Sequence, residues 1–165
     1  MYVPTVLRAD QPGIEPGISD VVMLDWQTKL LPSIKSFGYE VVLKPHPGTR
    51  APWLHKLAQR LNMPIIEEPF ENVLEQADLF LFDTLATTTF LTALETTKPM
   101  VYLQIHHWDW LPGAQQALQK RVSQVEAVTT KENRLDLDFS QLEYAITSSV
   151  DKVHNREFLE TYVQE

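Results

Sequence analysis

The sequence predicts an open, doubly wound α/β domain: a parallel sheet of about five or six strands with helices on both faces. Three observations lead there. Short apolar runs alternate with stretches of helical period along nearly the whole chain. One of those runs, LFLF at Leu79–Phe82, is apolar at every position, as a central parallel strand buried on both faces must be. The length, 165 residues, suits one domain that buries roughly 70% of its unfolded surface.

Val3–Leu7 reads as a first strand, and Ala9–Gly17, with its two Pro-Gly pairs, as a loop. Ser19 or Asp20 then caps a helix whose apolar stripe is Met23, Trp26, Leu30, Ile34 and Phe37, with Gly38 as its stop. Pro32 inside that stripe predicts a kink or break. Tyr39–Leu43 is the next strand. Thr49 caps a second helix with Pro52 in its first turn and Trp53, Leu57 and Leu61 inside. Met63–Ile66 is a short strand, Phe70–Gln76 a short helix and Leu79–Phe82 the central strand. A helix over Thr87–Thr96, a strand over Pro99–Leu103, a helix over Leu111–Val122 and an edge strand over Val125–Val128 follow. Two helices, Phe139–Val150 and Lys152–Val163, close the chain.

Composition narrows the function classes. The chain has no cysteine, which removes disulfides and thiolate chemistry and fits a reducing compartment. No apolar run reaches the ~18 residues that span a bilayer, and the first residues lack the basic and apolar regions of a signal peptide. The expected location is the cytoplasm, with association at the inner face of the membrane left open. Net charge is −8 and the 14 Lys and Arg are scattered, so the basic patch of a nucleic-acid binder is missing. A local phosphate site needs only a few amides and one or two cations.

Ligands of doubly wound sheets bind beyond the carboxyl ends of the strands, and three loops are predicted to leave from there. In KPHPGTR, Lys44–Arg50, Pro45 and Pro47 stiffen the backbone on either side of His46. A pre-ordered imidazole there can donate to a phosphate or act as acid or base, and it can equally be a hydrogen-bonded spacer in a rigid turn. Lys44 adds a cation. In DTLATTT, Asp83–Thr89, the hydroxyls of Thr87, Thr88 and Thr89 gather at a helix start, where free amides and the dipole favour an anion; plain N-capping would need only one of them. Glu95 falls on the same helix face as Thr88 and could accept from sugar hydroxyls where that face borders the cleft; its spacing fits a solvated C-terminal turn of the helix first. In QIHHWDW, Gln104–Trp110, the set His106, His107 and Asp109 lacks metal-ligand spacing, so no metal is expected. Trp108 and Trp110 could stack on a base or sugar, or pack on a partner domain. His55 and His154 lie in helices without a motif.

VVLKPHPG, then FENVLEQADLFLFD, then TTTFLTALETTKPMVYL, together resemble the C-terminal Rossmann-like half of GT-B glycosyltransferases of the kind that build bacterial capsule and surface polysaccharides. CDP-glycerol glycerophosphotransferases and sugar-nucleotide 2-epimerases are similar. The resemblance covers about residues 38–105. It implies that His46 lies at the donor phosphate and is catalytic, that Thr87 and Thr88 grip the diphosphate, and that Lys44, Asp83, Thr84, Thr89, Thr92 and Glu95 belong to the donor pocket. Thr92 stands where such enzymes usually carry an acid. The nucleotide sugar is then a substrate, and no cofactor is expected.

The resemblance makes residues 1–165 one nucleotide-sugar-binding domain, one half of a two-domain enzyme. The acceptor half would be a missing N-terminal domain or a second copy, and the helix within 151–165 could pack on it. The expected function is donor binding for transfer of an activated sugar or polyol phosphate. The alternatives are an epimerase or hydrolase on the same scaffold, and a binding module without turnover.

Overall fold

The computed structural model describes residues 1–5, 18–49, 52–85, 87–105 and 108–163. Four strands form one parallel sheet: β1 (Tyr2–Val3), β2 (Phe80–Phe82), β3 (Met100–Gln104) and β4 (Ser123–Glu126), in that spatial order. Two more segments join by single parallel bridges, Leu43 beside Tyr2 and Ile65 beside Leu43. The Tyr2 amide donates to the Val42 carbonyl at 2.8 Å, and the Leu43 amide to the Pro64 carbonyl at 2.9 Å. Numbered along the chain, the six segments lie 3-2-1-4-5-6 across the sheet, so the order reverses between β1 and β2.

Within this sheet, and among the described residues, laddered pairing is confined to those four strands, fewer than the five or six predicted. Prolines account for the shortfall. Pro4, Pro45 and Pro64 stand at or next to the ends of the three thin segments, and none has an N–H to continue a ladder.

Helices cover both faces. On one side α1 (Asp20–Ser36), α2 (Pro52–Arg60) and α5 (Phe139–Ser148) bury Met23, Trp26, Leu30, Leu54, Leu57, Leu142 and Ile146 against Tyr2, Leu43, Leu81, Val101 and Val125. On the other, α3 (Thr88–Glu95), α4 (Ala114–Arg121) and α6 (Glu157–Tyr162) pack with Phe70 on Val3, Phe80, Phe82, Met100 and Tyr102. Alternation along each strand divides its residues between the two cores. The second core is largely aromatic: Phe80 stacks tilted on Phe70 at 5.2 Å, Phe82 meets Phe90 edge-on at 5.1 Å, and Phe90 lies 6.5 Å from Tyr102.

Several expectations shift in detail. Helix α1 runs through Pro32 without a break, because the bond lost there, to the Thr28 carbonyl, falls on a side where both residues face solvent. Gly38, at φ 91°, does end it, its amide donating to the Lys35 carbonyl at 3.0 Å. Thr49 Oγ1 is buried with no hydrogen-bond partner among the described residues, and the Thr49 amide turns back to the His46 carbonyl; residues 50 and 51, which precede α2, lie outside the described residues. Phe70–Gln76 is two 3-10 turns parted at Val73 rather than a helix. A small antiparallel hairpin, β5 (Val128–Thr129) with β6 (Leu135–Asp136), escaped prediction because each strand is two residues long. The closing helix is shorter than expected, with Leu159 buried and Glu157 paired to Lys120 of α4 at 2.7 Å.

Truncating Phe82, fully buried at the centre of the aromatic core, is expected to cost about 3–5 kcal/mol. A urea melt of Phe82→Ala would show this as a lowered midpoint with an unchanged slope.

Candidate functional site

All parallel strands end on one rim, so the chain after Val3, Leu43, Phe82 and Gln104 leaves from a single edge. The register sets the levels. Val3 pairs with Phe82, and the Lys44 amide donates to the Tyr2 carbonyl at 2.9 Å, which puts Lys44, Val3 and Phe82 side by side. The KPHP segment and the approach to α3 therefore flank β1, about two strand spacings or ~10 Å apart. This is where the strand order reverses.

Asp83, the first residue past β2, is completely buried. Its carboxylate accepts from the Tyr2 hydroxyl and from the Thr5 amide, each at 2.5 Å. Gln27 of α1 donates to the same hydroxyl at 3.4 Å, while its own buried Oε1 has no protein partner. Burial raises the Asp83 carboxyl to about 6 against the pull of these bonds, and burial with the carboxylate beside it holds the Tyr2 phenol well above its usual value. Asp83 was expected to line the donor pocket; it instead ties β2 to β1 and to the chain leaving β1, inside the fold. Thr84 beside it is also buried.

Lys44 is 3% exposed. Leu43 belongs to the first core, so Lys44 turns to the face that carries α3. Its ammonium donates to the Pro45 carbonyl at 3.1 Å, and among the described residues no carboxylate closes an ion pair with it. Burial lowers its pKa while Glu71, Glu68 and Glu67 pull the other way from a distance. His46 is exposed, its Nδ1 accepting from the Gly48 amide at 2.9 Å.

Thr87 is the N-cap of α3, its hydroxyl accepting from the Phe90 amide at 3.1 Å. Thr88 is exposed and Thr89 half-buried in the first turn. Thr92 turns its hydroxyl back to the Thr88 carbonyl at 3.0 Å. Glu95, the last residue of α3, is separated from this group: the helix runs away from the rim, which puts Glu95 roughly 10 Å down the axis from Thr88.

The third loop contributes a contact that sequence reasoning missed. Trp108 donates from its indole nitrogen to the Tyr102 hydroxyl at 3.0 Å, lidding a phenol raised to about 12 mainly by burial. His106 and His107 lie outside the described residues, and among those described no three His, Asp or Glu side chains gather as metal ligands. Tyr2, Thr5 and Gln27 were missed too. The signal was Asp83 itself, since an acid closing a fully apolar strand must find donors. A cleft of about 520 Å³ lies between Lys29 and the hairpin residues Thr130, Glu132, Arg134, Leu135 and Asp136.

The fold and rim define a parallel α/β domain with a buried cation and a helix start at its switch point. No protein-family model, curated protein or solved structure matches the chain. Among the described residues no helix is long and apolar enough to cross a membrane.

Because the folded chain holds the Asp83 proton up to about 6 and the unfolded chain loses it near 3.8, Asp83 favours the folded state most below the lower value. That contribution is lost as pH rises through the upper value, a change of about 3 kcal/mol. Relative to Asp83→Asn, the wild type should lose about that much stability between pH ~4 and ~6.5. A difference constant across the window would show that the carboxyl is not titrating there.

Proposed function

We propose that this chain is the donor-binding half of a transferase that uses a nucleotide-activated sugar or polyol phosphate in surface-polysaccharide synthesis. The observation that carries the reading is Lys44: a buried cation at the carboxyl rim beside the switch point that, among the described residues, closes no ion pair with a carboxylate. A buried cation without a contacting counter-charge is costly, and an anionic ligand would supply that contact. The Rossmann-like strand order, the open first turn of α3 and the resemblance of KPHPG and TTTFLTAL to GT-B enzymes support the same reading.

In this reading the diphosphate lies across the end of β1. The amides of Thr88 and Thr89 and the positive end of α3 face it from one side, Lys44 and His46 from the other. An acceptor hydroxyl attacks the anomeric carbon of a sugar donor, releasing the nucleoside diphosphate, or the distal phosphorus of a polyol-phosphate donor, releasing the nucleoside monophosphate; in both cases those donors stabilise the charge on the leaving oxygen. The acceptor and its base come from a second domain or a second copy. Asp83 does not touch the ligand; it fixes the distance between the two flanking loops.

A second reading, nucleotide binding without turnover, is favoured by α3 itself. Thr92 occupies the usual acidic position and bonds its own helix, and Glu95 lies at the far end. An epimerase or hydrolase on this scaffold would need the same donor site, and turnover assays separate it from a transferase.

A panel of UDP, CDP, GDP and CMP tests the binding. At 100-fold excess over Kd, a ligand should stabilise by about 2.7 kcal/mol, or roughly 5–10 °C in Tm. Lys44→Met should leave the free protein at least as stable, since it removes a buried charge, and should abolish the shift. No shift with any nucleotide overturns the reading.

A further inference from the structure

His46 sits in a four-residue turn closed twice. Its carbonyl accepts from the Thr49 amide at 2.8 Å, and its own Nδ1 accepts from the Gly48 amide at 2.9 Å. Pro47 has no N–H, so Gly48 carries the first amide after the histidine that can donate. Pro47 and Gly48 suit the two central positions of such a turn. The fit is close: a Cβ on Gly48 would lie 3.2 Å from Nδ1 and 3.4 Å from Cε1 of the ring.

We infer that the Gly48 amide fixes His46 as the neutral Nε2–H tautomer, so that the imidazole serves the rim as a hydrogen-bond donor to an anionic oxygen. An N–H can be accepted only by a lone pair, so Nδ1 carries no proton while that bond stands. The single proton of the neutral ring then sits on Nε2. Such a ring has no lone pair left to take a proton from an acceptor hydroxyl, which removes the base role and leaves charge stabilisation by donation. Gly48 is thereby a positioning residue, acting through His46. The paired prolines have the same purpose, since they hold the backbone on which both bonds depend. The tautomer stands on geometry alone; the anion it would meet rests on the function proposed above.

Two measurements test this. In protein labelled with ¹⁵N-histidine at pH about 8, where imidazole is neutral, long-range ¹⁵N–¹H spectra report which ring nitrogen holds the proton, with His46→Gln assigning the signals. One hydrogen bond is worth about a tenfold tautomer preference. The expected result is Nε2–H in at least that excess, reduced in Gly48→Ala, whose methyl would press on the ring. An Nδ1–H ring, or the same mixture as in the urea-unfolded chain, overturns the inference. The second measurement is the Tm shift induced by pyrophosphate and by UDP. Glutamine reproduces a donor where Nε2–H stands but cannot carry a proton to or fro, so His46→Gln should recover at least half of a shift that His46→Ala loses. Equal loss in both variants overturns the donor role. If the wild type responds to neither probe, the proposed function falls, and the ring spectrum alone decides the tautomer.

Discussion

The carboxylate of Asp83 is the constraint on which the site depends. It lies where the strand order turns from one direction to the other, and it accepts from Tyr2 within β1 and from Thr5 just beyond it. At a switch point the two flanking loops diverge and leave a crevice. Something must then hold the strands beneath that crevice in register. Here β1 offers only two laddered residues, and the carboxylate adds two bonds to what that short ladder supplies. Burial makes the charged form costly, yet without an acceptor there the Tyr2 hydroxyl would lose its partner inside the core.

Lys44 and Asp83 are neighbours in level but not in face. Alternation turns the lysine toward α3 and keeps the acid with Tyr2 and Gln27, so the two charges do not neutralise one another. That separation keeps a cation available at the rim. Had the acid fallen one residue earlier or later, a buried ion pair could have formed and the positive site would be closed.

Much of the fold was legible because it rests on local rules. LFLF could only be a strand buried on both faces, Gly38 could only stop a helix whose stripe ended at Phe37, and alternation of element types gave the parallel sheet. The site was legible in its loops but not in its bonds. The donors of Asp83 stand about eighty residues upstream, in β1 and just beyond it, and nothing local announces them. For Glu95 periodicity fixes a face of the helix, and its place in the last turn separates it from Thr88 at the other end. The hairpin was invisible because two-residue strands carry no measurable alternation. Pro32 misled because a missing amide matters only where the orphaned carbonyl is kept from water.

The sheet is also unequal in grip. From β2 to β4 successive strands exchange several backbone bonds, whereas the segment at Leu43 joins β1 by a single bridge and the segment at Ile65 joins Leu43 by another. Cooperative opening should begin at the weakly laddered margin and reach β3 last. His46 and Lys44 sit on that margin. Amide exchange there would be fast in the free protein, and part of the binding energy of any occupant would go into quieting it, which softens apparent affinity and lets a spent product depart.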